Sequence, residues 1–164
     1  MNLYSIGHSN VSFEALLALL RRHQIEVLVD VRSQPYSRYN PHFGRERLKQ
    51  ALEENQLHYL FLGDRIGGKP TAPGSLAPDG HVDYEKLAAS KPYLEGIEQL
   101  VRLGETRKVC FMCAEADYRR CHRYHLITRT LVERDLEVKH ILPSGELATS
   151  DSSDFESEQL GLFD

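Results

Sequence analysis

At 164 residues with 41% hydrophobic content, the chain can bury one respectable core, and its longest apolar run, around Leu16 to Leu20, is too short to cross a bilayer. No signal peptide is read at the start, and three cysteines are an odd number for a disulfide frame, so a cytoplasmic protein with free thiols or thiol ligands is expected, with no membrane partner. The net charge of -4 hides an asymmetry: residues 143–164 hold six acids and no Lys or Arg, leaving 18 acids against 20 bases elsewhere, too mild a balance to argue for nucleic acid by charge alone.

In chain order, LYSIG (Leu3 to Gly7) reads as a buried strand. NVSFEALLALLRRHQ follows as a helix capped by Ser12, with Phe13, Leu16, Leu17 and Leu20 on its apolar side. EVLVDVR supplies a second strand, and strand, helix, strand implies a parallel pair joined by a right-handed crossover. Beyond the aromatic, Pro-containing loop SQPYSRYNPHFG, a helix from about Arg45 to Asn55 leads into the strand HYLFL. GDRIGGKPTAPGSLAPDGHVD, with five glycines and three prolines, reads as a functional loop or lid. Helices near Tyr84 to Ala89 and Pro92 to Leu103, the strand KVCFM, a helix of about Arg120 to Arg134 and the strand EVKHIL complete the pattern. The alternation predicts one three-layer α/β domain over 1–142 with a mostly parallel sheet of about five strands, followed by a disordered acidic tail over 143–164.

In such sheets ligands bind beyond the carboxyl ends of the strands. The four predicted ends carry His8 and Ser9, Asp30 and Arg32, Asp64 and Arg65, and Cys113 and Glu115, and the turn after the last adds Arg119, Arg120, Cys121, His122 and Arg123. Each residue has a bland alternative: Asp30 as a loop cap, His8 as a core histidine, the arginines as a solvated helix face. Their convergence on one rim favours a site.

Three chemistries compete there. C-x2-C-x7-C-H from Cys110 to His122 has the look of a zinc site, but residues three apart in a strand face opposite ways, so Cys110 reads as core and no metal is assigned. Cys113 and Arg119 have the C-x5-R spacing of the tyrosine phosphatase loop, similar to the rhodanese loop, although Glu115 and Asp117 would repel an anion. The favoured alternative leaves the cysteines as packing groups and gives the acid-base work to Glu115, Asp30 and His8, with arginines on a phosphate.

SIGHSN, DVRSQPYSRYNPHF, LGDRIGG and CAEADYRRCHR, in that order, together resemble the bacterial and archaeal family catalogued as domain of unknown function 488, over about residues 1–142. The resemblance implies an α/β fold and marks His8, Ser9, Asp30, Arg32, Pro35, Ser37, Gly67, Gly68, Cys113, Glu115, Cys121, His122 and Arg123 as matching positions. It brings no reaction and no cofactor with it.

The chain closes on EQLGLFD. Gln159, Leu160, Leu162 and Phe163 resemble the bacterial sliding-clamp-binding motif Gln-Leu-Ser/Asp-Leu-Phe, with Gly161 as the departure. The alternative is a terminal hook that docks on its own domain. The leading expectation is therefore a hydrolase or another phosphodiester- or nucleoside-acting enzyme, working on DNA or a nucleotide-like substrate and recruited by this peptide. Arg32, Arg119 and Arg123 would hold phosphate, Glu115 or Asp30 would act as base, and His8 as acid or substrate contact. A thiol enzyme of phosphatase or sulfurtransferase type using Cys113, and a non-catalytic nucleic-acid or nucleotide binding module, are the alternatives.

Overall fold

Strands β1 (Leu3–Gly7), β2 (Val27–Asp30), β3 (His58–Phe61), β4 (Val109–Cys113), β5 (Val138–Ile141) and β6 (Leu147–Ser150) form one sheet in the order β3-β2-β4-β1-β5-β6. The computed structural model describes residues 1–68 and 82–155, so most of the Gly/Pro-rich loop and the Gln159–Phe163 peptide lie outside the described residues. All pairings are parallel except β5 with β6. The helices are α1 (Phe13–Arg22), α2 (Arg45–Glu54), the single turn α3 (Gly63–Ile66), α4 (Tyr84–Ala89), α5 (Lys91–Thr106) and α6 (Arg129–Glu133). A π-helical segment, Arg123–Thr128, runs directly into α6.

The local chemistry explains these elements. Ser12 Oγ accepts the Ala15 N–H at 3.1 Å to start α1, Glu14 sits in its first turn, and Arg21 and Arg22 close it beside the negative end of the helix dipole. Leu16, Leu17 and Leu20 form its buried stripe. Strand β2 is buried at every position, as a central parallel strand must be, which is why its sequence is an apolar run instead of an alternation.

Helices α1 and α2 cover one face, where Leu16, Leu20, Leu48 and Leu52 pack with Ile6, Leu28, Cys110 and Met112. On the other face Tyr93, Ile97 and Leu100 of α5, with Leu126, Ile127 and Leu131, pack with Val27, Val29, Phe111 and Cys113. The three layers are thus as predicted, and Cys110 and Cys113 belong to opposite cores.

Two expectations need correction. The sheet has six strands instead of about five, and the sixth lies inside the segment predicted to be tail. Gly145, at φ 89°, turns the chain between Leu142 and Glu146, and β6 pairs antiparallel with β5 in the register Val138↔Ser150 to Ile141↔Leu147. Ser150 is buried where its Oγ accepts from His140 Nε2–H at 2.9 Å, and Phe155 packs on Tyr124 with ring centroids 5.0 Å apart. One core hydrogen bond and one aromatic anchor order a stretch whose average composition is that of a tail. The predicted helix from Arg120 is likewise three pieces: a 3-10 turn (Tyr118–Arg120), the π-helical segment and α6. Thr128 Oγ1 donates to Arg123 C=O at 2.6 Å, a five-residue reach that stabilises the wider π turn.

Phe155→Ala should therefore cost about 3 kcal/mol in urea denaturation, as for a buried aromatic. Leu147→Ala, at an exposed position of the same hairpin, should stay within about 0.5 kcal/mol.

Candidate functional site at the sheet switch point

The connection from β1 passes over β4 to reach β2, while the connection from β4 passes over β1 to reach β5. Neighbouring strands β1 and β4 therefore send their chains in opposite directions, and a crevice opens beyond their carboxyl ends. Its walls are fixed by close backbone packing: His8 N–H and Ser9 N–H donate to Cys113 and Ala114 carbonyls at 3.0 and 2.9 Å. Gly7 lies so close to the β4 loop that a Cβ there would sit 1.6 Å from the Glu115 carbonyl oxygen. On the far side Gly68 packs on the His122 ring, where a Cβ would come within 2.7 Å. The crevice is a cavity of about 440 Å³ lined by His8, Arg32, Ser37, Cys113, Glu115, Cys121 and His122, with Ser33, Gln34, Tyr36, Gly68, Tyr84, Ala114 and Arg120 completing it.

Arg32 is its most constrained charge. Asp30, fully buried, accepts Arg32 Nε–H at 2.9 Å and Nη2–H at 2.8 Å, and its backbone N–H at 3.2 Å. Tyr59 donates its hydroxyl to the same carboxylate at 2.5 Å. Both Asp30 oxygens are occupied, so this carboxylate orients a guanidinium fork and is not a free base. Burial and then Asp30 hold the Tyr59 hydroxyl protonated. Arg32 Nη1, the nitrogen the carboxylate leaves unengaged, lies 3.4 Å from His8 Nε2.

His8 donates Nδ1–H to the Ser9 carbonyl at 2.7 Å, a contact made by the positive φ (49°) of Ser9. That bond leaves Nε2 as the basic nitrogen facing Arg32. Burial, with Arg32 beside it, lowers the His8 pKa to about 4, so the ring is neutral at pH 7. His122 is also neutral: burial lowers it to about 4, and its Nε2–H donates to the Val31 carbonyl at 2.9 Å.

Cys113 and Cys121 meet at the cavity floor with Sγ atoms 3.0 Å apart. Cys113 is held as the thiol, first by its contact with Cys121 and then by burial, whereas the same contact, helped by Arg123, brings Cys121 below the ordinary thiol range. The C-x5-R alternative put the nucleophile at Cys113; in space that sulfur is in contact with Cys121.

Of the remaining predicted residues, Arg119 and Arg123 fall outside the cavity. Arg123 does not reach the cavity; it is fully buried, donating from Nη1 to Ser5 Oγ at 3.0 Å and from Nη2 to the Glu115 and Ala116 carbonyls at 2.9 and 3.4 Å. Arg119 points outward, its guanidinium over the Tyr118 ring at 5.5 Å. Ser9 shapes the wall through its backbone, and Ser37 Oγ accepts the Asn40 N–H at 3.0 Å while lining the cavity. Sequence reasoning passed over Tyr36 and Tyr84, while Arg120, read there only as one of the arginines of the turn, lines the cavity. The first stands in the aromatic loop SQPYSRYNPHF, which was a signal; Tyr84 comes from α4 across the Gly/Pro-rich loop, with no local signal at all. A larger groove of about 1080 Å³ lies along β3 and α5, lined by residues such as His58, Leu60, Leu94 and Leu103. It lies away from the carboxyl ends of the strands, and its charged lining residues, such as Arg65 and Glu95, pair with one another at the surface.

With the geometry in hand, comparison with known proteins adds one result. The family described as Domain of unknown function DUF488 matches residues 12–130, well over half of the sequence. The chain belongs to this family. No curated protein and no solved structure matches it. The DUF488 match takes in Arg32, Asp30, Ser37 and the Cys113–Arg123 loop, while His8, Ser9 and the β5–β6 hairpin stand outside it. Of the lining residues only His8, just beyond β1, is therefore read from this chain alone.

The buried histidines set a pH dependence. His8 is lowered to about 4 and His140, through burial and then Arg123, to about 3, both below the ~6.5 of an unfolded histidine. Their stabilising contribution is complete above about pH 6.5 and is lost as pH falls towards those folded-state values. Denaturation midpoints should drop between pH 6.5 and 4, each histidine contributing on the order of 1 kcal/mol per pH unit, and His140→Gln should flatten the dependence.

Proposed function

We propose that the cavity binds an anionic, nucleotide-like substrate or a DNA strand and that the protein is an enzyme acting on it. The observation that carries this reading is the Arg32 guanidinium, locked by Asp30 and Tyr59 with Nη1 aimed past a neutral imidazole. Asp30 takes the Nε and Nη2 side of that fork, which leaves Nη1 as the preoriented donor for a phosphate or carboxylate oxygen. Arg120 adds a second cation at the rim, its 3.6 Å ion pair with Asp117 loose and exposed enough to be exchanged for a ligand oxygen. Tyr36, 71% exposed, and Tyr84 offer ring faces on which a base could stack. A volume of about 440 Å³ is of the right order for a nucleotide.

Within this reading Arg32 and Arg120 take the phosphate role earlier given to Arg119 and Arg123. Glu115, an exposed carboxylate on the cavity wall, is the general base, because Asp30 is spent on Arg32. His8, neutral at pH 7, accepts a hydrogen bond or proton at Nε2 and does not serve as a general acid. The Gln159–Phe163 peptide would bring the enzyme to a sliding clamp, Leu162 and Phe163 entering an apolar pocket for ~1.5 to 3 kcal/mol each before ordering costs.

Titration of labelled nucleotides and short single-stranded oligonucleotides into the full chain tests the binding role. Arg32→Lys keeps the charge and loses the fork, so affinity should fall by about tenfold or more; unchanged affinity, or no binding by the unaltered protein, would overturn the reading. Glu115→Gln should abolish turnover while leaving binding within about twofold, which separates an enzyme from a binding module. For the peptide, Leu162→Ala with Phe163→Ala should remove clamp binding at micromolar concentration.

A further inference from the structure

Nothing in the acid-base reading uses the two sulfurs on the cavity floor, and their placement has its own chemistry. Cys113 is the last residue of β4, and Cys121 ends the 3-10 turn just before the π-helical segment, its carbonyl accepting the Tyr124 and His125 N–H groups at 3.1 and 3.2 Å. A strand end and a helix start eight residues apart thus deliver two free thiols to a 3.0 Å separation. A disulfide bond is ~2.05 Å long, so an approach of about 1 Å closes one. We propose that Cys113 and Cys121 are a reversible redox pair that peroxide converts to a disulfide across the cavity floor.

Access and electrostatics assign the two roles. Both sulfurs line the cavity, but Cys121 is half-buried whereas Cys113 is 3% exposed, so an oxidant reaches Cys121 first. Beneath them Arg123 is a fully buried cation with no carboxylate within ion-pair distance among the described residues. Its Nε–H has no hydrogen-bond partner there, and the Cys121 sulfur is held below the ordinary thiol range first by its contact with Cys113 and then by this guanidinium. A buried guanidinium requires an anion nearby, and a thiolate at the start of a helix meets that requirement.

The steps balance. The Cys121 thiolate attacks one oxygen of hydrogen peroxide, the O–O bond breaks, and the departing hydroxide takes a proton to become water, leaving a sulfenic acid. The Cys113 sulfur then attacks the Cys121 sulfur, the S–O bond breaks, and water leaves with the Cys113 proton. Two thiols lose two electrons and peroxide gains them; a dithiol reductant reverses the change. Closure ties the loop carrying Glu115 and Arg120 at both ends and removes the thiolate from Arg123. The proposal is independent of the nucleotide reading, since it concerns the sulfurs alone.

The test uses the full chain at pH 7, treated with a few equivalents of hydrogen peroxide and then alkylated under denaturing conditions. Two of its three thiols should become unreactive, the mass should fall by that of two hydrogens, and digestion should yield one crosslinked pair holding Cys113 and Cys121, released by dithiothreitol. Cys110→Ser, in the opposite core, should change none of this. Cys113→Ser should instead leave Cys121 as a sulfenic acid trapped by dimedone. If the unaltered protein keeps three alkylatable thiols, or if Cys110 takes part in the crosslink, the proposal is overturned whatever the variants do.

Discussion

The Arg123 guanidinium is removed from water altogether, and the upper half of the fold is arranged around the cost of that removal. Burying a cation costs several kcal/mol, which must be offset by hydrogen bonds and opposing charge. The offset comes from three directions: Ser5 on β1, the Glu115 and Ala116 carbonyls on the β4 loop, and the sulfur of Cys121. One side chain therefore fixes the height of the loop that bears Glu115 relative to the strand that bears His8. The same network continues outward. Ser5, receiving from Arg123, donates to His140 Nδ1 at 2.5 Å, and His140 Nε2–H donates to Ser150, so the charge that organises the cavity also holds the last strand. Tyr118 stacks flat on His140 with centroids 3.8 Å apart, closing the network from above.

Two carboxylates reach the rim, and their surroundings divide the labour. Asp30 sits at the end of a strand buried on both faces and can exist as an anion there because Arg32 and Tyr59 satisfy it. Its service is positional. Glu115, one loop further out, keeps its side chain in the open cavity while its carbonyl is committed to Arg123. The residue types are nearly the same, and depth alone makes one an orienting group and the other available for chemistry.

Depth is also what decided how much could be read without coordinates. The sheet and its two helical layers were legible because strands such as VLVD and the leucine spacing of α1 carry their burial in one dimension. The rim was legible because strand ends are local features, and His8, Arg32, Cys113, Glu115, Cys121 and His122 do converge. What the sequence could not reveal is which of several adjacent arginines turns inward. Arg119, Arg120 and Arg123 differ by the pitch of a 3-10 turn followed by a π turn, and a regular helix would have placed them otherwise. The strand β6 was hidden for a related reason: its ordering comes from His140 and Tyr124, both distant partners, and a composition average over 143–164 has no access to them.

The pairing of sulfurs and arginine bears on how a thiol this close to carboxylates can be acidic at all. Glu115 and Asp117 argue, as charges in sequence, against a thiolate or any other anion in the loop. In space the Asp117 carboxylate caps the 3-10 turn, accepting the Arg119 N–H at 3.0 Å, and ion-pairs with Arg120 at the surface. Water screens both of these contacts, whereas Arg123 is shielded from it. The fully buried cation adds to the Cys113 contact on the half-buried Cys121, so the loop can hold an acidic thiol below and a carboxylate above. An acidic sequence therefore does not preclude a basic floor, provided that the one cation is placed where water cannot reach.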